Sequence, residues 1–276
     1  MKRISTIFLL FILLACGENI DLPSSPELMV VEGWINDQDT IQKIRLSKTA
    51  AFGKENEPNL IDNATVAVKS TFENFSFSHG ENGIYYSNEP FAAKPGRFYH
   101  VEINVDGKSI RSVPEQVKRV PPIDTLTYDS FTEPSETNPQ VEIIVYYPVA
   151  FISDNQEESN YYRWRFWKNQ ALFNTPEDIF IQSDRFFNGL DSIENEFIDF
   201  DFRLNDTIHV ELQEISFEAY SYLRLLKLQT TSLGTRQGTS PAAINGNLFI
   251  EDDPTEIVLG FFGIISTTNT STVINP

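Results

Sequence analysis

The chain has 276 residues, of which 39 are Asp or Glu and 21 are Lys or Arg, giving a formal net charge of −18 at pH 7. This acidity argues against binding to nucleic acid or to anionic lipid, both of which attract basic surfaces. The single cysteine excludes an intramolecular disulfide, so stability has to come from apolar cores, which a chain of this length is able to bury.

The first predicted element is a signal sequence at residues 1–15. Two basic residues precede an unbroken apolar run at residues 7–14, which is too short to span a bilayer as a helix. The run ends in the sequence LLAC, whose last residue is Cys16. This sequence resembles the bacterial lipobox, in which the cysteine is acylated and the signal is cut before it. We therefore predict a lipid anchor at Cys16; the alternative is an ordinary signal peptide, or an apolar first strand, with a chance cysteine.

A polar tether is predicted at residues 16–25, followed by a β-sandwich domain at residues 26–120. Short alternating apolar runs recur there, with turns every 8 to 12 residues, which is typical of an antiparallel sandwich. The clearest hairpin signal is Asp106-Gly107 between two alternating runs, because this dipeptide favours a tight turn. The sandwich is predicted to end near residue 121, where two prolines interrupt strand formation.

The second part, residues 121–276, is predicted to be β-rich with one main helix at about residues 216–229. Ser216 is placed as the residue that caps this helix. An apolar stripe follows at helical spacing, formed by Ala219, Tyr222, Leu223 and Leu226. The fold class predicted for the whole chain is therefore mainly β with minor α.

The strand predicted at residues 161–169 alternates between two faces. One face carries Tyr162, Trp164 and Phe166, which we assign to the core. The other face presents aromatic and arginine side chains of the kind favoured at interface anchors, and two arginines form a local positive spot on an acidic chain. We predict a partner-binding surface there, with the loop at residues 234–246 as its neighbour, formed by Tyr161, Arg163, Arg165 and Trp167. The alternative is a strand covered on both faces, with Tyr161 and Trp167 beneath a helix.

No motif predicts catalysis or a cofactor. The sequence contains no H-E-x-x-H, G-x-S-x-G or phosphate-binding glycine loop, and its three histidines are dispersed. A Ser-His-Asp site assembled from distant residues stays open as an alternative. The acidic groups at Asp37, Asp39 and residues 251–253 match no EF-hand loop, so we interpret them as solvated loop charge and predict no metal site.

Short motifs occur along the chain in a characteristic order: LMVVEGWI at 28–35, IRLSKT at 44–49, PGRFY at 95–99, VPPID at 120–124, YYRWR at 161–165, ISFEAYSYL at 215–223, GNL at 246–248 and LGFF at 259–262. None is specific alone, but their order resembles the Bacteroidota outer-membrane lipoproteins grouped as domain of unknown function 4249. The resemblance implies a first half like an immunoglobulin-like or carboxypeptidase-regulatory sandwich. It also implies association with TonB-dependent outer-membrane transporters, and it supplies no catalytic residues.

The function that we predict is that of a non-catalytic cell-envelope lipoprotein, held at the outer membrane by its N-terminal lipid. It would serve as an accessory binding or assembly component of a TonB-dependent β-barrel transporter. The alternative is a structural or adhesive surface lipoprotein, with an enzyme as the third possibility. The sequence leaves open the small-molecule or peptide ligand and whether the protein faces the periplasm or the cell surface.

Overall fold

The computed structural model describes residues 27–50, 59–154, 158–231 and 244–276. Within these ranges the chain forms three β-sheets and one α-helix. The predicted fold class, mainly β with one main helix in the second part, is therefore confirmed. No helix in this part of the chain is long and apolar enough to cross a bilayer.

The first sheet has eleven strands and folds into a sandwich-like structure that encloses its own hydrophobic core. Nine of its strands come from the first part of the chain: β1 (Met29–Ile35), β2 (Lys43–Lys48), β3 (Asn59–Leu60), β4 (Thr65–Ser70), β5 (Asn74–His79), β6 (Ile84–Ser87), β7 (Phe98–Val105), β8 (Lys108–Ser112) and β9 (Glu115–Gln116). Their inward residues alternate with polar outward ones, as in β7, where Tyr99, Val101 and Ile103 are fully buried. The predicted turn between β7 and β8 is present, with positive φ angles at Asp106 and Gly107.

Two strands from the second part complete this sheet, β17 (Leu248–Ile250) beside β8 and β18 (Val258–Ile264) beside β1. β18 runs parallel to β1, whereas the other strand pairs of this sheet are antiparallel. The first sheet therefore includes residues from both sides of the boundary predicted near residue 121. The physical reason is that β1, which is apolar apart from Glu32, would otherwise leave an open edge, which the apolar strand β18 covers.

An asparagine side chain joins the two ends of the first sheet. The Asn247 side chain, just before β17, accepts a hydrogen bond from the Phe262 backbone N–H at 3.0 Å and donates one to the Phe262 carbonyl at 2.7 Å. Its amide also donates to Glu115 Oε1 at 3.2 Å. These bonds satisfy backbone groups of β18 that have no strand partner on that side, so the sheet is closed without a further strand.

The second and third sheets pack against each other. The second contains β10 (Ile123–Pro134), β11 (Glu142–Ile152) and β15 (Ile193–Glu196), and the third contains β12 (Tyr161–Lys168), β13 (Ala171–Leu172), β14 (Phe180–Ser183), β16 (Thr207–Glu214) and β19 (Ser266–Val273). Tyr162, Trp164 and Phe166 of β12 are buried in the shared core, as predicted. The strand β19, at residues 266–273, was not predicted from the sequence.

The helix α1 (Phe217–Thr230) starts where the sequence predicts. The Ser216 hydroxyl accepts a hydrogen bond from the Ala219 backbone N–H at 3.0 Å, the usual cap of a helix N-terminus. Ala219 and Leu223 are buried against Phe261 of β18 and near β12 and β14. The helix thus lies between the first and third sheets and covers part of the outer face of β12.

Candidate functional site

The outer face of β12 carries the four residues predicted to bind a partner, and all four are partly buried. They do not share one environment. Tyr161 packs against the helix, with its ring centre 5.4 Å from that of Phe217 and 5.2 Å from that of Tyr220. The alternative in which a helix covers this face therefore applies to Tyr161, but not to Trp167.

Arg163 lies beside a cleft formed by α1, β1, β18 and the connection at residues 174–179. Its guanidinium carbon is 5.3 Å from the ring centre of Trp34. The cleft has a volume of about 310 Å³. It also contains aromatic and aliphatic side chains from the helix and β18, namely Tyr222, Leu223, Leu226 and Phe261.

The charge of Arg163 has no acidic partner in the described ranges, where no carboxylate oxygen lies within 4.0 Å of its guanidinium nitrogens. Burial lowers the pKa of Arg163 to about 10, and the neighbouring positive charge of Arg165 contributes in the same direction, while the more distant carboxylate of Glu211 opposes both. The side chain nevertheless stays positively charged at neutral pH. Arg163 is therefore a partly desolvated cation that faces an apolar cleft.

Arg165 and Trp167 form a separate patch, which we call the β12 patch. Arg165 Nη1 is 3.4 Å from Glu211 Oε1 on β16, and its guanidinium carbon is 5.0 Å from the centre of the Trp167 ring. Trp167 meets the His209 ring edge-on, with 4.9 Å between ring centres, and His209 Nδ1 is 2.8 Å from Ser271 Oγ. The acidic partner of Arg165 weakens the positive spot that the sequence suggests, but the pair holds both side chains in fixed positions.

A buried polar cluster that the sequence analysis missed lies at the other end of β12 and β16. Asn160 Nδ2 donates to Glu214 Oε1 at 3.1 Å, and the Asn160 backbone N–H donates to Asp184 Oδ2 at 2.7 Å. The Tyr162 hydroxyl donates to Asp154 in the same cluster. Burial raises the pKa of Glu214 to about 8, because a charged carboxylate is disfavoured away from water. The sequence offers no signal for this cluster beyond polar residues at strand ends.

A larger cleft, of about 490 Å³, lies beside this cluster. Its walls come from residues 95–96 and 116–121 and from Glu158, Asn160 and Tyr162. Glu214 Oε2 and Asn160 Oδ1 have no hydrogen-bond partner among the described residues. These two oxygens lie beside a cleft whose walls also carry Gln116, Lys118, Arg119 and Glu158, so the site is polar.

The family model described as Domain of unknown function (DUF4249) matches residues 18–271. The chain belongs to the DUF4249 family. No curated protein matches the chain.

Several predicted sites of this DUF4249 chain lie outside the described residues. These are Cys16, the residues of the signal and tether, and most of the loop at residues 234–246, of which only residues 244–246 are described. In the described ranges, no three Asp, Glu, His or Cys side chains come together as metal ligands. Asp37 instead accepts a hydrogen bond from the Thr267 backbone N–H at 3.0 Å, and Glu251 accepts one from Ser109 at 2.8 Å.

Proposed function

We propose that this DUF4249 chain is a non-catalytic cell-envelope lipoprotein that serves as an accessory binding or assembly component of a TonB-dependent outer-membrane transporter. The sequence around Cys16 supports the lipid anchor, and the absence of catalytic motifs from the sequence supports a binding role. Attachment to the outer membrane follows from the resemblance to Bacteroidota outer-membrane lipoproteins. The observation that carries the binding role is the β12 patch.

The β12 patch has the chemistry of an interface anchor. Arg165 and Trp167 stand on a strand rather than a loop, and Glu211 and His209 hold them in place. Such fixed side chains lose little conformational entropy when a partner binds. Tryptophan and arginine are also the residues that most often dominate binding energy at protein interfaces. We infer that the patch contacts the transporter.

The lipid anchor is tested by the Cys16→Ala variant. Because alanine has no thiol to acylate, we expect the variant to stay unprocessed or to appear in the soluble fraction. Cell fractionation and intact-mass measurement report both outcomes. Ala15→Gly is the matched control, since it keeps a small residue before the cysteine and should leave processing intact. A Cys16→Ala chain that is processed and membrane-bound like the wild type would show that the anchor is not at this cysteine.

The transporter proposal is tested by co-purification from detergent-solubilised outer membranes of the native cell. We expect a β-barrel transporter to be recovered with the full chain in near-equal amount. Quantitative mass spectrometry of the recovered proteins gives the ratio. Recovery of the chain without any transporter would contradict the proposal and favour a structural or adhesive role.

The β12 patch is tested by Trp167→Ala and Arg165→Ala in the same experiment. Truncation of a true anchor costs about 2 kcal/mol or more of binding energy, or about 30-fold in affinity. Because both side chains lie at the surface of the third sheet, we expect the melting temperature to change by only a few degrees. Tyr86→Ala is a matched control, because Tyr86 is also a partly buried strand aromatic beside a cation, Lys43, at 5.6 Å. If Trp167→Ala lowers the recovery of the transporter only as far as it lowers the melting temperature, Trp167 is a core residue and not a binding residue.

One observation favours the alternative of a structural or adhesive surface lipoprotein. The outer half of the long β10–β11 hairpin carries exposed apolar side chains, with Phe131 38%, Val141 48% and Ile144 53% exposed. The register pairs Phe131 with Val145 and Ile144 with Thr132, so the exposed apolar side chains lie on both faces of the hairpin and each face offers an apolar contact. If no transporter is recovered, this hairpin is the first place to look for an adhesive contact.

A further inference from the structure

The cleft beside Arg163, which we call the α1 cleft, has aromatic walls that are built into the fold. Trp34 on β1 lies flat over Gly263 on β18, where a Cβ atom would come within 2.5 Å of the indole ring. The Trp34 and Phe261 rings stack with their centres 5.5 Å apart, and Tyr222 of α1 lies 5.1 Å from Phe261. Only a glycine at position 263 leaves room for this arrangement, so the sequence of β18 positions the tryptophan.

The opposite wall of the α1 cleft is also held in place. Lys227 Nζ near the end of α1 donates a hydrogen bond to the Ile179 carbonyl at 2.8 Å, which fastens the helix to the connection at residues 174–179. Within that connection, Asp178 Oδ2 accepts a hydrogen bond from the Thr175 backbone N–H at 2.7 Å. The cleft therefore exists before any ligand enters, as small-molecule sites usually do.

Two charged side chains line the α1 cleft, and only one of them lacks a partner of opposite charge in the described ranges. Glu32 lies 3.9 Å from Arg45 on the neighbouring strand. Arg163 has no such carboxylate, although a partly buried charge is costly without one. Of the other described arginines, five lie within 4.0 Å of a carboxylate oxygen: Arg45, Arg97, Arg111, Arg165 and Arg203. The remaining three, Arg119, Arg185 and Arg224, also lack such a partner among the described residues, but they are exposed to water, whereas Arg163 is not. Among the described residues, Arg163 is thus a mostly buried arginine without a carboxylate partner, and its guanidinium is available to an acceptor from a ligand.

We infer that the α1 cleft binds a carboxylate attached to an apolar or aromatic group. A guanidinium offers two parallel N–H donors that match the two oxygens of a carboxylate. The Trp34, Phe261 and Tyr222 rings would enclose the apolar group, and a volume of about 310 Å³ suits one aromatic side chain. Two sources supply this chemistry, a free small carboxylic acid and the C-terminal carboxylate of a peptide that ends in an apolar residue.

This inference does not depend on the proposed transporter, because binding is measured on the purified full chain in detergent without a membrane partner. Isothermal titration calorimetry compares phenylacetate with phenylacetamide, and an acetylated tetrapeptide ending in phenylalanine with its C-terminal amide. We expect each acid that binds to do so at least 10-fold more tightly than its neutral amide. Preference for phenylacetate identifies the small-acid source, and preference for the peptide acid identifies the peptide source. If neither acid binds better than its amide, the inference is overturned.

Arg163→Met supplies the matched variant. Methionine keeps the length and apolar stem of the arginine, so we expect an unchanged or higher melting temperature and an at least 10-fold loss of acid binding. Arg224→Met is the control, since it removes an exposed positive charge from α1 at a position that does not line the cleft, and it should bind the acids like the wild type. If both variants lose acid binding to the same extent, the loss reflects the overall charge of the protein, and the assignment to Arg163 is overturned. Should Arg163→Met fail to fold, the comparison of acids with amides still decides the matter.

Discussion

Replacing Gly260 with alanine is expected to lower the free energy of unfolding by about 4 kcal/mol or more. Gly260 of β18 has a φ angle of +91°, and a Cβ atom there would come within 2.0 Å of the Val31 carbonyl oxygen. The obstructing atom belongs to the backbone of β1, so it cannot move aside without separating the two strands. Urea unfolding followed by circular dichroism measures the loss.

Gly107→Ala is the matched control for this prediction. Gly107 has a comparable φ angle of +76°, but no atom lies within 4 Å of the position of its Cβ. This variant therefore carries only the conformational cost of alanine in the left-handed region, about 1 kcal/mol. Similar losses in the two variants would mean that backbone strain alone matters and that the close approach of β1 to β18 does not.

Replacing Glu214 with glutamine is expected to stabilise the protein at pH 8 and to flatten the dependence of its stability on pH. Burial raises the pKa of Glu214 to about 8 from 4.5, so the folded state holds a proton that the unfolded state releases. This contribution is fully present below about pH 4.5 and is lost as the pH rises towards 8. At about 1.4 kcal/mol per pKa unit, the difference between 4.5 and about 8 corresponds to a loss on the order of 5 kcal/mol.

Glu115 acts in the same direction, because burial raises its pKa to about 7. Wild-type stability should therefore fall between pH 5 and pH 8, as measured by urea unfolding at each pH. The slope should become shallower in Glu214→Gln, whereas Glu81→Gln, at an exposed turn, should keep the wild-type slope. Parallel curves for wild type and Glu214→Gln would show that Glu214 does not release a proton on unfolding in this range.

Local patterns in the sequence were sufficient to predict the elements whose signals are short-range. The alternation in β12 identified its buried residues because side chains of a strand point to opposite faces in turn. Ser216 and the apolar stripe located α1 because a helix needs both a cap and a face to bury. β19 was missed because its sequence, STTNTSTV, is polar apart from its last residue and carries no apolar period.

Long-range contacts lay beyond what the sequence could predict. The apolar run of β18 indicates a buried strand, but its sequence does not identify β1 as the strand with which it pairs. The same limit applies to the β12 surface, where alternation places Arg163 and Arg165 on one face. The packing of α1 and β1 against this face gives the two arginines different surroundings. Arg163 lies in an aromatic cleft, whereas Arg165 is paired with Glu211. Glu214 is buried for the same kind of reason, since its surroundings come from distant segments.

The parallel pairing of β1 with β18 also determines when the protein is able to fold. As the chain is made and exported, β1 becomes available long before β18 does, and the first sheet keeps an unpaired edge throughout that interval. Contacts between residues so far apart in sequence form slowly, and exposed strand edges in incomplete chains promote aggregation. The nascent chain is therefore expected to need protection by a chaperone until its last strands are made. Once β18 is in place, the beginning and end of the described chain gain or lose their structure together.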